Sequence, residues 1–421
     1  MRRSVLVLAA LSIAVVGRAA PAHATAGTLD PAFSDDGIAT AFKTGSVANA
    51  VAIDHAGRSV VVGETIGDHV AVAVARFRPD GTPDPSFGRN GRVRMPLHAD
   101  AAVAFDVAVA ADDGLAIAGR RTIGATEDSF VLRLNASGEP VAAFGGDGLA
   151  TINFGKQESA NAVAFTPSSR IDLVGYVSNG TSVRCALARL DAGGRLDRTF
   201  SGNGTRFVDL SPGADQLNDL IVLPNGAIVA AGYADFATEP RFAMLRLHRD
   251  GELALGFGRQ GITKTDLGPG ADIANALAMT GDGGFVLAGS ANNAGHDDWG
   301  IARYASDGSL DTAFAADGVK ILAWSAAPEA ADDVLVQGAK IVLAGRIHGS
   351  GAGDDAGVVR LRSGGKLDDT FAVGGVERVD VAGGTDAGHG VAIQANGKIV
   401  LAGETWSGGS PRFLVARLRA G

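Results

Sequence analysis

The sequence predicts an all-β fold, a seven-bladed β-propeller with four antiparallel strands per blade, and three recurring marks predict it. A phenylalanine followed four residues later by glycine recurs at Phe33, Phe87, Phe144, Phe200, Phe257, Phe314 and Phe371, in steps of 54, 57, 56, 57, 57 and 57 residues. An arginine ends a strand-like run once per copy, at Arg76, Arg133, Arg189, Arg246, Arg303, Arg360 and Arg417. A glycine closes a "VVG" or "AG" run at Gly63, Gly119, Gly175, Gly232, Gly289, Gly345 and Gly403. Each mark counts seven.

Within a copy the elements follow in a fixed order. The first complete copy reads as "NAVAID" from Asn49, "SVVVGE" from Ser59, "VAVARFR" from Val70 and "GRVRM" from Gly91. Short alternating apolar runs of this kind are strands, and no run keeps helical spacing over three turns. Glycine and aspartate turns such as "TGDGG" and "QANGK" join the first two strands and support antiparallel pairing. The 60 glycines, about twice the usual share of roughly 7%, suit a chain of many tight turns. A parallel β-helix has shorter coils without four strands each. The small apolar residues of the "NAVAI" strand suit a crowded centre, and the charged "RVRM" type suits the outside.

The chain ends "FLVARLRAG" and, after its first residues, begins "GTLDPAFSDDGIATAF", so that the end runs into the beginning. Residues of about Ile38 to Phe42 are therefore expected to pair with the three C-terminal strands in a velcro closure. Residues 1–24 read as a cleaved signal peptide: Arg2 and Arg3, an apolar run from Val5 to Val16, and Ala22-His23-Ala24 at the cleavage site. The apolar run is too short to span a bilayer. Residues 25–421 form the single propeller domain, and the expected location is secreted or periplasmic. Loss of Arg2, Arg3 and Arg18 takes the net charge from −9 to −12, which argues against nucleic acid as a partner.

The strings "ARLDAGGRLDRTFSGNG", "RYASDGSLDTAFAADG" and "RLRSGGKLDDTFAVGG" resemble the delta-60 repeat family of bacterial exported proteins. The resemblance covers essentially the whole mature chain. It implies a β-propeller scaffold but no activity, and no functional residue carries over from it. Within the motif the glycines suit turns, the phenylalanine fills the space between blades, and the arginine reaches a loop carbonyl. The aspartate of Asp30, Asp84, Asp197, Asp311 and Asp368 assists, being replaced by Val141 and Ala254 in two copies.

Recognisable chemistry is sparse. The single cysteine, Cys185, reads as buried filler. No EF-hand loop, HxH or HExxH pair occurs, so neither a metal nor a cofactor is expected. Nor is there a sialidase-type aspartate box or the tryptophan ring of quinone-dependent propellers. One slot, at the opening of the innermost strand, holds Asn49, Asn161, Asn218, Asn275, Asp332 and His389. Such a ring could line the channel mouth and hold a small polar ligand, or it could link neighbouring blades through backbone hydrogen bonds.

The connections after the "AG" strand vary freely, and binding favours variable loops on rigid scaffolds. The candidate ligand-binding residues are Tyr176, Tyr233, Phe236, His296, Asp297, Asp298, Trp299, His348, His389 and Trp406, with Phe236 and Trp299 open to a packed alternative. The functional expectation is a noncatalytic binding or scaffold module, monomeric, whose partner is a protein or a surface polymer. The alternative is a polysaccharide-acting hydrolase or lyase with its site at the channel mouth.

Overall fold

A computed structural model describes residues 26–42, 45–155, 157–236, 239–293, 295–349, 353–381 and 383–420. The expected signal peptide lies outside the described residues. Among those described, every regular element is a strand, and no helix is long and apolar enough to cross a membrane.

The strands form four-stranded antiparallel units whose order in space is their order in sequence. In the first unit Ser46–Ile53 pairs with Ser59–Thr65, which pairs with Ala71–Phe77, which pairs with Arg92–Met95. The second and third strands are buried almost throughout because both sheet faces are covered by neighbouring units. The short outer strand is the wetter one. The inner strands of the later units are Ala101–Val109, Gln157–Phe165, Asp215–Val222, Asp272–Met279, Ala330–Gln337 and Asp386–Ile393. Each touches the inner strand of the next unit, and the last touches the first. The two units that begin at Ala101 and Gln157 are joined further by one parallel pairing, Gln157 to Glu127.

The chain end is completed by its beginning. Ile38 and Ala39 pair with Ala416 and Val415, adding an outer strand to the unit that begins at Asp386. Arg417 Nε donates to Asp30 Oδ2 at 2.9 Å and Lys398 Nζ to the same oxygen at 2.7 Å.

The phenylalanine motif holds neighbouring units together. All seven phenylalanines are buried. Each ring lies against a left-handed glycine of the following unit: Phe33 under Gly81, Phe87 under Gly138, and so on to Phe371 under Gly27. A Cβ at Gly138 would come within 2.9 Å of the Phe87 ring, so this contact needs glycine for space as well as for backbone angle. Arg76 and Arg360 stack over Phe87 and Phe371 at 4.5 Å. Repeat arginines also reach forward to the next unit: Arg76 Nη1 donates to Ala136 O at 2.6 Å and Arg303 Nη1 to Ser363 O at 3.0 Å. The aspartate is an accessory. Asp84 accepts from Arg76 Nε at 2.9 Å, whereas Arg189 turns to Asp172 at 2.6 Å. Burying each phenylalanine contributes about 1.5–3 kcal/mol.

Candidate functional site

The candidate site is the mouth of the central channel, and a repeated backbone irregularity builds it. Every inner strand carries a β-bulge at the slot seen in the sequence: Asn49, Phe105, Asn161, Asn218, Asn275, Asp332 and His389. The slot thus sits inside the strand rather than opening it, and Phe105 fills it in the second unit. Beside each bulge the inner strand comes so close to the second strand that a Cβ on the repeat glycine would overlap a carbonyl oxygen. Gly63 meets Val47 O in this way, and Gly403 meets Ala387 O. That contact explains the glycine in all seven copies.

Four of the slot amides bond across to the next unit. Asn49 Nδ2 donates to Ala104 O at 2.8 Å, Asn161 to Leu217 O at 2.9 Å, Asn218 to Ala274 O at 2.8 Å, and Asn275 to Ala331 O at 3.0 Å. These amides therefore link units and are not free to hold a ligand. The residue after the slot alternates Ala50, Asp106, Ala162, Asp219, Ala276, Asp333 and Gly390. Each aspartate accepts an amide proton beyond the small residue of the next unit: from Val163 at 2.8 Å, Leu277 at 2.7 Å and Val391 at 2.7 Å. Burial raises all three carboxyl pKa values, Asp333 to about 7, and for Asp219 and Asp333 the other carboxylates add to the rise. The alternation fails once among these seven positions. The two small residues left side by side are Gly390 and Ala50, where a Cβ on the glycine would come 3.0 Å from the Ala50 backbone.

The residue after each repeat glycine forms a second ring: Glu64, Arg120, Tyr176, Tyr233, Ser290, Arg346 and Glu404, all half-buried. They stand near the ends of the second strands, so they face the same side as the variable connections. Their chemistry is grouped. The neighbours Glu404 and Glu64 are flanked by Arg346 and Arg120, with Tyr176, Tyr233 and Ser290 opposite.

His389 Nδ1 lies 2.9 Å from Asp332 Oδ2, and Nε2 lies 3.9 Å from Glu404. Burial works against its charge, but the two acids prevail and raise its pKa to about 9. Burial pushes Glu64 up, opposed by a 3.4 Å contact from Asn49 and by the charges of His389 and Arg120, with the Glu404 charge adding to the rise. Glu404 is also buried, but His389 brings it below the ordinary carboxylate range. Arg120 Nη1 contacts Glu127 Oε2 at 3.4 Å and the Tyr176 hydroxyl at 3.5 Å.

The residues singled out in the sequence divide into three groups. Tyr176, Tyr233 and His389 belong to the channel mouth. His296, Asp297 and His348 are half-buried on the variable connections, and Trp406 is exposed there. Trp299 and Asp298 are corrections, for both are fully buried. The Trp299 indole donates to Arg346 O at 2.9 Å and packs edge-on against Trp324, because its strand position points between sheets. Asp298 accepts from Asn293 Nδ2 at 2.8 Å. The Phe236 side chain lies outside the described residues. Cys185 is buried, and burial holds its thiol well above the usual range.

Sequence reasoning missed Glu64, Arg120, Ser290, Arg346 and Glu404. The signal was available, since each follows a marker glycine. Among the described residues no group of three or more His, Cys, Asp or Glu side chains is arranged to hold a metal ion. A cleft of about 580 Å³ walled by Thr166, Arg170, Asn225 and Arg249 lies among turns on the opposite face.

The comparisons define a class. Residues 57–87, 166–200, 223–257, 281–314, 340–371 and 394–421 match the family described as "Domain of unknown function (DUF5122) beta-propeller". The protein is a β-propeller repeat protein, and five of the six matched segments end on the motif phenylalanine. Among solved structures it is similar to the polysaccharide lyase Uly1, at 10% identity and TM-score 0.52 over 88% of this chain and 89% of that one. It is also similar to Drosophila Semaphorin 2a, at 8% identity and TM-score 0.51 over 91% and 75%. Both likenesses concern the fold. No curated protein sequence matches.

Proposed function

We propose that this protein is an exported, seven-bladed, delta-60-type propeller that binds a protein or a surface polymer at its channel mouth, without catalysis and as a monomer in the periplasm or medium. The ring after the repeat glycine carries this reading. Its backbone is the same in every copy, yet its seven side chains comprise two acids, two guanidinium groups, two phenols and one alcohol. Side chains freed from packing and gathered around one mouth suit recognition. The test is titration of the purified protein against neutral, uronate and amino-sugar polysaccharides and against envelope proteins. At least one ligand should weaken tenfold or more in Arg120→Ala/Tyr233→Ala and stay unchanged in Leu255→Ser on the opposite face. Binding indifferent to the ring variants would reject the reading.

One observation favours a second reading, polysaccharide hydrolysis. Glu64 and Glu404 stand in neighbouring units with their pKa values pushed in opposite directions, the arrangement that separates a general acid from a base. Glu64 would protonate the leaving glycosidic oxygen while Glu404 takes the proton of the attacking water. Release of reducing ends by the wild type, lost in Glu64→Gln, supports it. No release from any polymer in the panel rejects it.

A further inference from the structure

The variable face is not evenly polar. Among the described residues, the large apolar side chains exposed on its connections are Ile66 at 48%, Ile123 at 41% and Trp406 at 41%. The other exposed large apolar residues lie on the opposite face or on an outer strand: Leu196, Phe207, Leu255, Met279, Leu310, Leu367 and Val373. Ile66, Ile123 and Trp406 occupy the same connection in three consecutive units, those that begin at Asp386, Ser46 and Ala101. Trp406 also hydrogen-bonds to Glu404, so the apolar patch and the acid pair are continuous.

Acids outnumber cations at this side of the mouth. His389 pairs with Asp332 and Glu404, while the guanidinium groups of Arg120 and Arg346 act on Glu64 and Glu404 only from further off. Arg120 is answered by Glu127, and Arg346 lies 3.4 Å from Asp354. Glu64 has no ion-pair partner among the described residues, and its nearest donor, Asn49, is already committed to Ala104 O. Deeper in the channel burial disfavours the charged forms of Asp106, Asp219 and Asp333, so the field at the mouth comes from the acids beside it. A narrow, low-dielectric mouth concentrates such a field and favours cations of matching shape.

We infer that this sector of the face docks a protein segment that places a lysine or arginine side chain into the mouth beside Glu64, with apolar residues on either side covering Ile66, Ile123 and Trp406. The inference rests on the binding reading above and names the partner's chemistry. Exposed apolar side chains supply contact area, and the acid pair supplies register and selects a basic residue.

The experiment is selection of a random 12-residue peptide phage library on the immobilised protein, followed by fluorescence-polarisation titration of the enriched peptides. The expected outcome is enrichment of sequences with a lysine or arginine between apolar residues. Their affinity should fall at least tenfold in Glu64→Gln and in Ile66→Ser/Trp406→Ser, and hold in Leu255→Ser. The serine variants change exposed positions only, so equal melting temperatures separate lost docking from lost folding. Enrichment of peptides without a basic residue, affinity unmoved by the face variants, or no enrichment would each overturn the inference. Polysaccharide binding sensitive to Arg120→Ala/Tyr233→Ala would leave the broader reading standing in any of those cases.

Discussion

The arginine–phenylalanine belt and the ring after the repeat glycine are spaced alike along the chain, yet one is chemically uniform and the other is mixed. The belt phenylalanines are buried against a left-handed glycine of the next unit, so each copy presents the same gap and the same ring fills it. The mouth residues are half-buried beside a channel, where no neighbouring backbone dictates their shape. Uniformity therefore marks what the units require of one another. Variation marks positions on which the units place no shared demand.

Deleting Gly27 to Phe42 should break the comparison most severely, because it removes the strand Ile38–Ala39, the Asp30–Arg417 pair and the cover over Phe371 at once. Calorimetry should show loss of the single cooperative transition, and an unchanged melting curve would refute the closure. Next comes Phe200→Ala in the belt, which should cost about 3–5 kcal/mol in denaturant unfolding.

The channel acids predict a dependence on pH of the third rank. Burial raises Asp333 to about 7, so its penalty is absent while it is protonated in both states and grows as pH climbs from about 4 to about 7. His389, raised to about 9, contributes stability that is complete below about 6.5 and is lost as pH rises through about 9. Both signs make the protein less stable at pH 9 than at pH 6, on the order of 1–3 kcal/mol. His389→Asn should remove the share of this slope above pH 7.

His389→Asn leaves Asp332 and Glu404 without their cation, and should cost about 1–2 kcal/mol at pH 7. Adding Asp332→Asn restores the amide found at the slot in four other units and should recover most of that loss, a coupling read from a double-mutant cycle. Smallest of all, Arg120→Ala or Ser290→Ala at the mouth should change stability by no more than about 0.5–1 kcal/mol. Larger costs there would show that the ring is a packing device like the belt.

Much of the fold was legible because its units meet through residues that recur. The steps of 56 or 57 between arginines, the glycine of the "AG" run and the run from the last residues into the first anticipated the strand order and the pairing of Ile38. The site was less legible. His389 and the slot stood out as departures from asparagine, but the slot looked like a strand opening because a bulge leaves no trace in apolar alternation. Trp299 looked like a loop aromatic because its strand begins inside a connection of variable length. Glu64 and Glu404 went unnoticed because nothing local relates positions 340 residues apart.

By itself the sequence determined the repeating strand pattern, its turns and the contacts each copy must make with the next, because these follow from local spacing and identical packing needs. Only the tertiary structure decided that Glu404 stands beside Glu64, that His389 answers Asp332, and that Ile66, Ile123 and Trp406 share one sector. The physical reason is ring closure, which places side by side residues that are one repeat apart along the chain, or at its two ends, and whose chemistry no local rule connects.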